Sequence, residues 1–507
     1  MQRKKCCKRY RVSDNDAEEK TLNNLTTSIG TKNSIGTQSI LYVLAGIISA
    51  LICSLTIVKE GLELLFLLPV AFAIGSIVFS RAFSYWRENS AFVIIFATIW
   101  VRYIFAPVLM TLTGTALTTV NPAPSYYRLA IAIQIFELFA ALAVIDYVWT
   151  RHKKKVMHAE QARYLKPVDF KLTWLGFLFL VALVGLVVVR GHIPDLVNRY
   201  STWWHISEDF SAVFFYDYIS VEIIKSVLGV VLISFFARRF HKTKAKMDRF
   251  LCYVFALAVG ISMTMIYMYD QRTALVQLVI SSLIVLLAFF PTKKKATLLI
   301  LGGGGAILVA YVFATGSMQY EVGGTNDGTW AELSKMAELY VSGPSMIAVT
   351  QQHYDWVRSQ MSAMTYLSDF ITTSHIFGMF PFLRGINNLV TNIPTTNILF
   401  VESLGGLTYI LPNYSLWTYY TTNIFGWLFE ILAMYWVIRV ICYVDTKKKT
   451  VDDACNYYAL AYVETLLGQA IFVNNTFLLW HAFTNLPFWL LMFVYINNLG
   501  NKIKLQL

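Results

Sequence analysis

The sequence predicts an all-α polytopic integral membrane protein of about twelve transmembrane helices, and three observations predict it. The chain is 56% hydrophobic and only 14% charged, with a mean hydropathy of +0.54, whereas soluble domains carry about 25% charged residues. Apolar runs near the length of about 20 residues that a bilayer core demands recur from residue 40 to residue 496. Finally, the Lys and Arg clusters fall in alternate loops, as one-sided topogenic charge does.

Residues 1–39 open with Arg3, Lys4, Lys5, Lys8, Arg9 and Arg11 and continue in Ser, Thr, Asn and Gly, which predicts a disordered basic tail. The tail is too long and too polar to read as a cleavable signal. Cys6 and Cys7 within it are free cytosolic thiols or, alternatively, acylation sites. Spans are predicted at about 40–58, 62–80, 91–113, 128–149, 172–190, 219–237, 250–269, 273–290, 296–315, 423–444, 454–473 and 477–496. With that alternation the basic tail, Arg81 and Arg87, Arg151 to Lys155, Arg238 to Arg249, Lys293 to Lys295, Lys447 to Lys449, and Lys502 with Lys504 all share one side. Both termini are therefore predicted to be cytoplasmic. The net charge of +12 is topogenic on this reading and implies no nucleic-acid partner. The organisation expected is a tail (1–39), a nine-span region (40–315), a large extracytoplasmic loop (316–422) and a three-span region with the C-terminus (423–507).

The loop at 316–422 stands apart, being far longer than the few residues that usually join helices. It mixes Glu321, Asp327, Glu332, Glu338, His353, Asp355, Arg358, Asp369, His375, Arg384 and Glu402 with Tyr, Trp, Asn, Gly and Pro, so a folded cap on one membrane face is expected. On a helix His353, Asp355 and Arg358 would neighbour one another; Asp369, His375 and Arg384 form a second group, and Glu402 stands before Gly405-Gly406. A base that activates a hydroxyl must be a carboxylate or His tuned by its surroundings, which sequence alone does not reveal. For each of these the plain reading is a solvated or salt-bridged side chain. No cysteine lies in this loop and no ligand spacing is diagnostic of a metal, so neither a disulfide framework nor a metal site is expected.

Arg272 sits in the tight connection Asp270-Gln271-Arg272 between the seventh and eighth spans. Its planar fork suits phosphate oxygens at the edge of the hydrocarbon, as in a lipid-linked pyrophosphate; the plain alternative is an interfacial anchor that snorkels or pairs with Asp270. Arg190-Gly191-His192 begins a second outer segment running to Tyr218. Arg102, Glu137, Asp146, Glu222, Lys225, Glu430, Arg439, Glu464 and His481 fall inside spans and must face protein or water. Among these, Glu222 and Lys225 are one turn apart and suited to neutralise each other; Arg102 and Glu464 are the deepest, as structural ion pairs or a proton path. Gly302 to Gly305 permit close helix packing or a kink; a phosphate loop there lacks the Lys-Ser/Thr ending.

Three stretches carry a resemblance. They are Tyr269-Asp270-Gln271-Arg272-Thr273-Ala274-Leu275, Tyr340-Val341-Ser342-Gly343-Pro344 with His353-Tyr354, and Tyr419-Tyr420-Thr421-Thr422-Asn423-Ile424-Phe425-Gly426. With the topology, they make the chain resemble the bacterial O-antigen and capsular polysaccharide polymerases, the Wzy-type oligosaccharide repeat-unit polymerases. Members often carry Asp-Phe-Gly where this chain has Asn423-Ile424-Phe425-Gly426, so no acidic role is carried there.

The resemblance implies a GT-C-like glycosyltransferase, with its large external loop between the ninth and tenth spans. It would move a growing glycan from polyprenyl diphosphate to a lipid-linked repeat unit on the outer face of the bacterial cytoplasmic membrane. Arg272, then Arg384 or Arg358, would hold the diphosphate, with Arg190 and Tyr340 completing the substrate-binding set; His353, Asp355, Asp369, His375 or Glu402 would accept the acceptor proton. The donor is already activated, so no nucleotide or other cofactor is needed, and a flippase and a chain-length regulator are the implied partners. An O-antigen-ligase-type transferase and a twelve-span lipid-linked oligosaccharide flippase or transporter remain alternatives. A polyprenyl-phosphate-sugar transferase with acidic residues in the first outer loop is disfavoured, because that loop is Lys59-Glu60-Gly61.

Overall fold

A computed structural model describes residues 39–116, 121–157, 172–189, 212–265, 272–314, 329–373, 384–390, 392–405, 423–451, 453–472 and 486–502. Among these residues all regular structure is helical.

The first ten helices, all but the five-residue α3 built on long apolar runs, are α1 (Ser39–Leu55), α2 (Leu67–Val78), α3 (Ser80–Ser84), α4 (Ser90–Thr113), α5 (Pro124–Met157), α6 (Trp174–Val189), α7 (Ala212–Lys242), α8 (Lys246–Met265), α9 (Arg272–Phe289) and α10 (Lys294–Ala314). Among the described residues three helices are long and apolar enough to cross a membrane, within α4, α5 and α7. The count is four if the pair Leu67–Val78 and Ser80–Arg87, bent by 88°, is one broken span. Shorter apolar helices occupy Ser39–Leu55, Trp174–Val189, Leu278–Phe289 and Leu486–Gly500. Side chains such as Leu55 (78% exposed) and Val189 (87% exposed) face outward from this body, as apolar residues do against lipid. Gly302, Gly303 and Gly304, expected to pack or kink, do neither: α10 runs unbroken and an added Cβ at each would meet nothing within 4 Å.

The polar stretch folds into six short helices: α11 (Thr329–Tyr340), α12 (Pro344–Gln352), α13 (Tyr354–Gln360), α14 (Ala363–Thr373), α15 (Arg384–Asn388) and α16 (Thr396–Ser403). The chain closes with α17 (Asn423–Thr450), α18 (Ala454–Gln469) and α19 (Leu486–Lys502).

Two apolar cores meet at α18. One gathers α2, α4, α5 and α17; the other gathers α6 to α9 and α19. Leu460, Val463 and Leu467 of α18 enter the first, while Tyr458, Tyr462 and Leu466 enter the second, so the helix is buried on every side. Asp453 starts it, its side chain accepting the Asn456 amide at 2.8 Å. Gly468 lets it lie against α4, since a Cβ there would meet the Ala91 carbonyl oxygen at 2.7 Å and its Cα at 2.8 Å.

Within the loop expected at 316–422, residues 329–352 pack against α4 and α5. Helix α11 packs along the end of α4, with Ser334 Oγ donating to the Thr115 carbonyl at 3.4 Å, and α12 packs along the start of α5. Gln352 Oε1 accepts the Ala123 amide at 2.8 Å at one end of α12, while Gln134 Nε2 donates to the Ser342 carbonyl at 3.1 Å at the other. Ten residues of α5 separate Ala123's neighbour Pro124 from Gln134, about 15 Å of helix at its standard rise and half of a bilayer's apolar core. The two helices therefore form a hairpin whose tip, Val341-Ser342-Gly343, is driven into the helical body. Eight of the nine residues of α12 are buried, Ile347 and Ala348 within the first core. A nine-residue buried helix with Ser, Thr and two Gln escapes a search for 20-residue apolar runs. Within it Thr350 Oγ1 bonds back to the Met346 carbonyl at 2.8 Å.

Candidate functional site

The hairpin tip ends on the most polar part of the interior. Residues Val101–Phe105 of α4 form a π-helical turn, a widening that recurs at functional sites, and Arg102 lies within it. Arg102 is 1% exposed and forms an ion pair with Glu137 of α5, itself 1% exposed. Glu430 of α17, 2% exposed, sits beside Glu137, so two carboxyl groups share one guanidinium. Arg102 Nε donates to the Ser342 carbonyl at 3.2 Å, the same oxygen that Gln134 binds. Tyr103 completes the wall, its hydroxyl donating to the Gln134 carbonyl at 2.6 Å, and the Phe472 ring centroid lies 5.4 Å from the guanidinium carbon. Arg102 Nη1 and Gln134 Oε1 are buried without a hydrogen-bond partner among the described residues, while the Glu430 and Glu137 carboxyl groups lie within hydrogen-bonding reach of each other.

The tip is shaped by its own residues. Ser342 adopts φ 53°, the left-handed region that a non-glycine residue enters at a cost. Gly343 fits because a Cβ there would meet Glu338 Cγ at 2.4 Å. Its amide donates to the Glu338 carbonyl at 2.7 Å, and the Glu338 carboxylate accepts the Ser345 amide at 2.7 Å, at the N-terminus of α12.

Beyond α12 the expected site residues spread over three packed helices. His353 joins α12 to α13 with its ring centroid 6.4 Å from that of Phe400 in α16. Its Nε2 is buried without a partner among the described residues, and burial lowers its pKa below 6.5. Asp355 is exposed in the first turn of α13, and Arg358 donates to the Tyr366 hydroxyl of α14. Asp369 is buried, and both carboxylate oxygens are engaged by Thr396: Oδ1 by its amide at 2.8 Å, Oδ2 by its hydroxyl at 2.5 Å. That arrangement docks α14 onto the start of α16, a structural duty in place of the expected base. Glu402 is exposed near the end of α16. Thus α13 and α14 both pack on α16, bringing His353 and Asp369 to one small bundle.

Arg272 is the first residue of α9, Tyr340 the last of α11 and Arg384 the first of α15, while their side chains lie outside the described part. Arg190, His375 and the turn Asp270-Gln271 lie outside the described residues altogether. The interior charges resolve into separate pairs. Arg102 meets Glu137; Glu464 accepts from Lys448 and from Ser90 Oγ at 2.6 Å; Glu222 and Lys225 pair at 2.5 Å as their spacing suggested. Among the described residues no group of three His, Cys, Asp or Glu side chains is placed to hold a metal ion.

What sequence reasoning missed is the partnership of Arg102 with Ser342, 240 residues away. A costly Arg in a span was visible; the tip it grips, Ser342-Gly343-Pro344, was read only as part of the segment that opens the large outer loop. Compared with known proteins, the chain matches no family model, no curated protein and no solved structure.

Proposed function

We propose that this chain is a membrane-embedded glycosyltransferase of the Wzy type, with about twelve spans and both termini cytoplasmic. It extends a glycan by transfer from polyprenyl diphosphate to a lipid-linked repeat unit at the outer face of a bacterial cytoplasmic membrane. The observation that carries the reading is the folded polar stretch itself, which runs from the hairpin buried at Arg102 to the bundle around His353. A lipid-linked sugar keeps its isoprenoid in hydrocarbon and its diphosphate and sugars at the interface, so one element reaching both levels suits it.

In this reading an acceptor hydroxyl attacks the anomeric carbon, its proton passes to a base, and the bond to the diphosphate oxygen breaks. His353 is the first choice as base, since burial keeps its ring neutral near pH 7, the form that accepts a proton. Asp355, Glu402 and His375 follow. Asp369 drops behind them because Thr396 occupies both of its oxygens. Arg272, Arg384 and Arg358, with Arg190 and Tyr340, remain the proposed ligands of diphosphate and glycan; developing negative charge on the leaving group is what such cations stabilise. Arg358 already donates to Tyr366, so it would act from a fixed position. A flippase and a chain-length regulator are the partners this role calls for.

The second reading is a lipid-linked oligosaccharide flippase or transporter, favoured by the interior cluster of Arg102, Glu137 and Glu430. The deciding experiment is the size profile of lipid-linked and surface glycan in cells lacking the gene. Single repeat units on the outer leaflet, restored to a ladder by the wild-type chain and not by His353→Ala or Arg272→Ala, fit the polymerase. Single units held on the cytoplasmic leaflet indicate a flippase, and full-length glycan still on its carrier indicates a ligase.

A further inference from the structure

The contacts of the hairpin separate into two kinds. Inside it, Glu338 ties α11 to α12 through the Gly343 and Ser345 amides. Between it and the surrounding helices, Ile347 and Ala348 supply apolar burial, and the Ser342 carbonyl receives Arg102 and Gln134. Apolar contact attracts without direction, whereas a hydrogen bond fixes distance and angle. Two donors from two different helices converging on one oxygen therefore define one depth and one rotation for the tip. Arg102 lies in the π-turn of α4, and Glu137 of α5 pairs with its guanidinium.

We propose that Arg102 and Gln134 are positioning residues. They form a latch that sets the depth of the α11–α12 hairpin and, through the hydrogen-bonded run from α12 into α13, the placement of His353. The position of the polar stretch is then decided about 15 Å along α5 from its start, by residues that touch neither solvent nor the outer bundle. The latch is incompletely satisfied: Arg102 Nη1 and Gln134 Oε1 are buried without a partner among the described residues. A buried network left partly unsatisfied is a weak point in a fold, and it marks where the hairpin shifts when one donor is lost. This inference does not depend on the glycan reading.

The test uses the purified full-length chain in detergent, with Cys6 and Cys7 replaced by Ser and Ser345→Cys as reporter. Modification by a hydrophilic maleimide is followed separately by peptide mass at position 345 and at the buried native thiol of Cys455. With the latch intact, position 345 reacts at least tenfold more slowly than an exposed reporter, Asp355→Cys. Gln134→Leu raises the rate at 345 threefold or more and Arg102→Gln tenfold or more, with Cys455 unchanged, while Arg102→Lys restores most of the protection.

Gln134→Leu carries the test if Arg102→Gln does not accumulate. Rates at 345 within twofold of the parent in Gln134→Leu overturn the proposal. So does a rise shared equally by Cys455, which would report general loosening.

Discussion

Replacing Arg102 by Met removes the only described cation beside Glu137 and Glu430 and leaves Glu137 with its side chain 2% exposed. Breaking a buried ion pair from one side costs about 3–5 kcal/mol, because the remaining charge has lost its partner but not its burial. The hydrogen bond to the Ser342 carbonyl adds about 1 kcal/mol. Arg102→Met is therefore expected to lose about 4–6 kcal/mol, most of the margin of an ordinary domain. Arg102→Met/Glu137→Met removes both charges, and well-packed apolar replacements of buried pairs are often neutral, so the double variant should recover at least about 2 kcal/mol of that loss. Equilibrium unfolding of the detergent-solubilised chain in SDS or urea, run as a double-mutant cycle, measures the coupling. A single variant costing under about 1 kcal/mol, or a double variant as unstable as the sum of the singles, refutes the buried-pair reasoning.

Gly468→Ala should cost about 1–3 kcal/mol, because its methyl meets backbone atoms of Ala91 that cannot rotate away. Gly302→Ala, with open space around it, should be neutral or stabilising by up to about 1 kcal/mol; thermal unfolding of the pair in one detergent checks both. For His353 the folded pKa lies below the ordinary 6.5. The stability it contributes is whole above that value and is lost as pH falls through the folded pKa, since the unfolded chain binds the proton first. The drop in Tm between pH 7.5 and 5.5 should therefore be smaller in His353→Gln, and equal drops would exclude the effect. Asp369→Ala should cost about 1–3 kcal/mol by orphaning the Thr396 amide and hydroxyl, and should lower trypsin resistance of residues 363–403 before the helices α4 and α5 are touched.

The helices were legible because lipid and core both select apolar length, and each predicted span coincides in part with a helix in the described residues. The pairing of Glu222 with Lys225 was legible too, being a matter of one helical turn. Asp369 was not: a carboxylate that will cap a helix start 27 residues on looks the same in sequence as one that will accept a proton. Arg102 was legible as a costly residue and illegible as a pair, since its partners lie 35 and 240 residues away. The packing of α12 into the helical body was illegible for a similar reason. A hydroxyl that bonds back to its own helix, as Thr350 does, can be buried, and hydropathy does not count that bond.

By itself, then, the sequence determined that this chain is helical, membrane-compatible and interrupted by one long polar stretch, because apolar periodicity and length act locally along the chain. Only the tertiary structure decided that the stretch turns inward, that its tip rests on a guanidinium from a distant helix, and that α18 is enclosed by two cores. Those outcomes depend on hydrogen bonds and packing between residues remote in sequence, where direction and distance matter and composition carries no record of either.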